Sequence, residues 1–137
     1  MRVRNFGVSS QVLESVYRSL IESILTFNLI VWFGALTVRD KSRLGRVVKT
    51  ASRIVGTPQK QLCDLYTMTV KKKATKIMDD SSHPLSQLFE LLPSGQRLKK
   101  PVAKKNAYAK SFVPTAVTVL NECSERTRNG MRAIRRK

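Results

Sequence analysis

The sequence predicts an all-α fold, a small helical domain built on an αα-hairpin and followed by a basic, loop-rich C-terminal part. Three observations predict it. Residues 11–33 and 38–55 each repeat apolar side chains at the three- and four-residue spacing of one helix face. The link between them, residues 34–36 around Gly34, is short enough to make the two helices neighbours. The second stretch also carries its own punctuation. Thr37 with Asp40 fits a capping box, Gly56 stands where a left-handed C-cap is wanted, and Pro58 follows.

In chain order, residues 1–9 read as a truncated entry segment and 10–95 as the helical domain. Ser10 is placed to cap a helix from Gln11 to Phe33. Its Val12, Leu13, Val16, Tyr17, Leu20, Ile21, Ile24 and Leu25 form one face, and Phe27 to Phe33 are apolar nearly all round, as in a buried helix end. In the 38–55 helix, Leu44, Val47, Val48, Ala51, Ile54 and Val55 share one sector, while Arg39, Arg43, Arg46 and Arg53 share another. The expected seam sets Leu20 and Ile24 against Val47, Val48 and Ala51. A third helix is expected from Pro58, with Leu62, Leu65, Tyr66, Val70, Ala74 and Ile77 inward and a weak point near Thr69. Asp79 to Pro84 is a stop and turn, and Pro93-Ser94-Gly95 is another turn. Residues 96–125 read as a basic linker and a last helix entered at Pro114, docked by Ala116, Val117 and Leu120. Residues 126–137 read as a basic disordered tail.

Composition sets the partner class. Lys plus Arg number 26 against 9 Asp plus Glu, a net charge of +17, which repels itself in a compact state unless a polyanion or salt screens it. Nucleic acid, whether DNA, RNA or a hybrid, is the first expectation, and an anionic membrane surface ranks well behind it. The longest apolar stretch, residues 20–33, contains Glu22, Ser23, Thr26 and Asn28 and is shorter than the roughly 20 residues a bilayer span needs. Cys63 and Cys123 make neither a disulfide framework nor a zinc site, and no apolar run precedes Ser10. Both facts point to an intracellular protein, nuclear or cytoplasmic.

No catalytic constellation is read. Asp79-Asp80 ends a helical pattern and lacks a third carboxylate on a companion element, as two-metal chemistry requires. His83 is the one histidine, so a two-His-one-carboxylate iron site cannot be built by this chain alone. The six glycines form no phosphate loop or dinucleotide fingerprint, so neither metal nor cofactor is expected. Tyr17, Phe27, Trp32 and Phe33 lie in the most apolar stretch and are assigned to the core rather than to base stacking. The candidate binding residues are Arg39, Arg43, Arg46, Lys49 and Arg53 on the second helix and Lys71, Lys72, Lys73 and Lys76 on the third. Arg97, Lys99, Lys100, Lys104 and Lys105 follow in the basic linker, with Tyr108 as a stacking residue. Such contacts reach phosphates and carry no sequence information.

Several segments together resemble a known family. They are Arg4-Asn5-Phe6-Gly7-Val8, the run from Tyr17 to Phe27, Trp32-Phe33-Gly34, and the run from Arg46 to Pro58. His83-Pro84-Leu85, Leu91-Leu92-Pro93-Ser94-Gly95, Ser111-Phe112-Val113-Pro114 and Leu120-Asn121 continue the order. In that order they resemble the region after the catalytic core of non-LTR, LINE-type retrotransposon reverse transcriptases, of the kind abundant in fish genomes. The resemblance spans about residues 4–122. It implies a thumb and post-thumb piece that grips template and primer backbone, with the family's catalytic aspartates and endonuclease lying upstream of the matching part. The 39–55 helix is also similar to the short basic N-terminal segment of AlkB-homologue tRNA-modifying enzymes. With one histidine and no cofactor loop, that similarity implies help in RNA binding and no dioxygenase or methyltransferase chemistry. A third reading is a helical module that docks a protein or a membrane surface through its apolar helix.

Overall fold

Helix α1 (Ser10–Thr26) begins one residue earlier than the sequence predicts, because Ser9 rather than Ser10 caps it: the Val12 N–H donates to Ser9 Oγ at 3.4 Å. A computed structural model describes residues 7–134 of the chain, and the side chains of 7–124. The first six residues, including Arg4-Asn5-Phe6 of the family-like order, and the last three of the basic tail lie outside the described residues. Every regular element described is helical, with an isolated bridge between Leu91 and Leu98, so the all-α class holds.

The single helix expected over 11–33 is two helices. Within α1, residues Tyr17–Glu22 widen into a π-helical turn. Hydroxyls within and after that turn bond backward along the helix. Ser19 Oγ donates to the Ser15 carbonyl at 2.8 Å, and Thr26 Oγ1 to the Glu22 carbonyl at 2.7 Å. Such back-bonding competes with the regular ladder and bends helices. The chain then breaks at Phe27 and Asn28, where Asn28 takes a left-handed conformation (φ 47°) that asparagine tolerates better than most side chains. Helix α2 (Leu29–Ala35) leaves at 44° to α1, its last turn tightened to 3-10 geometry. The Trp32 indole N–H donates to the Phe27 carbonyl at 2.8 Å, satisfying an acceptor the break leaves open.

Helix α3 (Val38–Val55) follows its punctuation. Thr37 Oγ1 accepts from the Asp40 N–H at 3.2 Å and donates to Asp40 Oδ2 at 2.6 Å, and Gly56 closes the helix at φ 84°. Residues 57–61 are not helical, contrary to the start expected at Pro58. Gln59 donates from its backbone to Ser52 Oγ (3.1 Å) and from its side chain to Thr57 (2.9 Å), which holds them in a turn. Helix α4 (Leu62–Asp79) starts there and runs unbroken through Thr69.

Chain contacts divide the molecule into two compact units, Met1–Tyr66 and Thr67–Lys137, so the division falls inside α4 and inside the 10–95 stretch. In the first unit Tyr17, Ala51 and Val55 pack together with Leu13 against them. The α1–α3 seam therefore runs through Leu13 and Tyr17, one helical step from the Leu20 and Ile24 seam expected. Phe33 is buried beside Tyr66, with ring centres 4.9 Å apart, and takes Trp32 edge-on and the Lys41 ammonium at 4.9 Å over its ring.

In the second unit Val70, Ala74 and Ile77 of α4 are buried, as are Phe89, Leu98, Val113, Ala116 and Val117. The 93–95 turn is present: Leu92 N–H donates to the Arg97 carbonyl and Gly95 N–H to the Leu92 carbonyl, both at 2.8 Å. A short helix α5 (Asn106–Ala109) precedes helix α6 (Phe112–Ile134). Pro114 lies inside the first turn of α6, where its missing N–H costs nothing. Helix α6 runs on through Ile134, so the backbone of 126–134 is helical where a disordered tail is expected from the sequence.

Candidate nucleic-acid interface

Helix α3 places its cations first. At about 100° per residue, Arg39, Arg43, Arg46 and Arg53 fall within a sector of about 80°, and Lys49 extends it to about 120°. The buried side chains Val48, Ala51 and Val55 centre about 150° away. All five cations are exposed, and none has an acidic partner among the described residues. Asp40, the one acid on α3, is taken up by Thr37 at the cap. The outermost pair, Arg39 and Arg53, lie about 21 Å apart along the axis at 1.5 Å per residue. The result is a straight, uncompensated cationic edge on a helix whose two ends are capped.

The apolar sector is narrower than its composition suggests. Val48, Ala51 and Val55 are buried and Leu44 half-buried, but Val47 and Ile54, on the border with the arginines, are exposed. Thr50 lies between Arg43 and Arg46 on the same face and is exposed, so its hydroxyl is a further phosphate donor. A search for charge passes over it; its angular position finds it.

The other predicted cations are exposed but organised differently. Lys71, Lys72 and Lys76 of α4 spread over the side away from Val70, Ala74 and Ile77, and Lys73 falls at the edge of the buried sector. Successive residues on a helix point about 100° apart, so a run of three lysines cannot share one face. Arg97, Lys99, Lys100, Lys104 and Lys105 lie on irregular chain. Lys99 Nζ pairs with Glu90 Oε2 at 3.4 Å. That segment is tied down at Leu98. Its N–H donates to Asn121 Oδ1 (2.9 Å), and its carbonyl accepts from Asn121 Nδ2 (3.0 Å). The sequence does not single out Asn121 for this contact, since a partner 23 residues away leaves no local signal. Tyr108 stands exposed on α5, three residues after Lys105.

Of the aromatics assigned to the core, Tyr17 and Phe33 are buried and Trp32 half-buried, whereas Phe27 is 73% exposed at the break after α1. Burial pushes the Tyr17 phenol above its ordinary range, with the Glu22 charge adding to it. The Asp79-Asp80 pair ends α4. Donors from the Ser82 side chain and backbone hold the Asp80 carboxyl below its usual range, and His83 Nδ1 accepts from the Leu85 N–H at 3.1 Å. Both side chains thus build the turn. Cys63 and Cys123 form no disulfide.

None of the family models, curated proteins or solved structures compared with the chain matches it.

Proposed function

We propose that the chain is a non-catalytic module that binds the sugar–phosphate backbone of nucleic acid without regard to sequence. In this reading it is a thumb-like piece of the kind that follows the catalytic core in LINE-type reverse transcriptases. The observation that supports it is the α3 edge: four arginines and a lysine within a sector of about 120°, unpaired, on the side of a capped helix away from its buried face. Guanidinium groups grip phosphate in a bidentate fork and stay charged at any physiological pH. Helix α3 supplies the ordered contact, and the lysines of α4 and the 96–105 segment add screened, longer-range attraction.

Titration of the full chain with duplex DNA, RNA and an RNA–DNA hybrid across a salt series tests the proposal. If the five α3 cations each neutralise a phosphate, log K falls against log salt with a slope of about −4.5 on B-DNA. Affinity should change little when the base sequence is scrambled. A flat salt dependence, or no binding at low salt, contradicts the proposal.

A further inference from the structure

A second surface of the first unit is apolar and concave. Between α1 and α3 runs an open groove of about 560 Å³. Val16 and Ile21 form one wall, Val47 and Ile54 the other, and Ala51 and Val55 part of the floor. On the α3 side its edge is Arg46 and Thr50. Beyond the α1 wall the apolar surface continues, with Leu20 59% and Ile24 74% exposed.

The π turn gives that surface its shape. Val12, Val16, Leu20 and Ile24 follow one another at four-residue steps, which in an α-helix would drift by about 40° each around the axis. A π turn holds more residues per turn than an α turn, so Tyr17–Glu22 takes back part of that drift. Side chains that would have spiralled away stay along one side of α1, next to the groove. Exposed apolar area of this extent on a highly charged chain marks a docking surface.

We infer that the groove receives an amphipathic helix with an acidic flank, laid between α1 and α3 as the third member of a helical bundle. The walls call for apolar anchors at i, i+3, i+4 and i+7. The unpaired arginines along the α3 edge call for Asp or Glu on the side of the incoming helix that faces them. A second copy of this chain fits poorly. It brings a charge of +17 of its own, which opposes the arginines along the α3 edge. A bilayer surface is flat and leaves the floor of a concave groove unfilled, whereas a helix fills it. The inference does not rest on nucleic-acid binding, since the groove walls are apolar.

Fluorescence anisotropy tests it with a labelled helical peptide of about 16 residues, leucines at i, i+3, i+4 and i+7 and glutamates along one flank. The full-length chain should bind this peptide and reject the same peptide with lysines in place of the glutamates. The double substitution Val47→Ser and Ile54→Ser, at exposed positions, should weaken binding about tenfold or more, and Val16→Ser on the opposite wall should do likewise. Circular dichroism and the salt slope on duplex DNA should stay unchanged in these variants. Equal binding of the two peptides, or wall substitutions without effect, overturns the inference. So does failure to bind the peptide when phosphatidylserine vesicles bind in an Ile24→Ser-sensitive way, or when the chain dimerises through the same wall residues.

Discussion

Helix α3 carries five cations on one face, apart from Lys41 over Phe33, and the 96–105 segment carries five as well, and they hold them in opposite ways. On α3 the five stand on one face of a helix closed by Thr37 at its start and Gly56 at its end. In 96–105 they lie on irregular chain, tied where Asn121 holds Leu98 and where Arg97 and Lys99 bond the backbone of Leu92 and Glu90, and the Lys99 ammonium is already engaged by Glu90. Equal charge does not make equal interfaces. A side chain on a fixed backbone has less freedom left to lose when it meets a phosphate, so more of its attraction appears as affinity.

The contrast extends to how the two regions are held, and that gives the largest expected effect. The first unit leans on apolar contact at Phe33, buried between Trp32, Tyr66 and the Lys41 ammonium. Phe33→Ala should cost about 3 kcal/mol, read as a fall in the urea midpoint. The 96–105 segment adds a polar anchor to the apolar burial of Leu98. Asn121→Leu leaves the Leu98 N–H and carbonyl without their partner and should cost about 2 kcal/mol. It should also raise amide exchange through the 96–105 segment without touching α3; equal protection loss in both would erase the distinction drawn between them.

Much of α3 was legible in the sequence because everything that defines it is local. Thr37, Asp40 and Gly56 mark its ends, and the spacing of the arginines fixes their shared face. Helix α1 was legible only in part. Its apolar residues announced a helix, but the serine and threonine back-bonds and the left-handed Asn28 decide where it widens and breaks. The spacing of Leu20 and Ile24 and the apolar surroundings of Phe27 predict inward positions, whereas burial depends on which elements arrive to cover a face. Asn121 and Leu98 were not legible as a pair at all, since their meeting is a property of the folded second unit.

Smaller effects sharpen the comparison at the helix ends. Gly56→Ala places a Cβ at φ 84° and should cost about 1 kcal/mol, lowering the thermal midpoint while leaving the 96–105 exchange rates alone. The smallest effect is at Asp80. Its folded pKa is depressed by the Ser82 donors, so its contribution is present above the ordinary carboxylate value of 3.8 and is lost as pH falls through the lowered folded value. Asp80→Ala should therefore lower the melting temperature slightly at neutral pH and make no difference in strong acid.

The most direct measurement compares two variants of identical net charge across a salt series on duplex DNA. In one, Arg39, Arg43, Arg46, Lys49 and Arg53 become glutamine; in the other, Arg97, Lys99, Lys100, Lys104 and Lys105 do. The α3 variant should lose about 4.5 from the log–log slope and most of its low-salt affinity, and the second variant less than half as much. Equal losses would mean that net charge alone attracts nucleic acid, and a larger loss from the second would place the grip outside α3; either result contradicts the account.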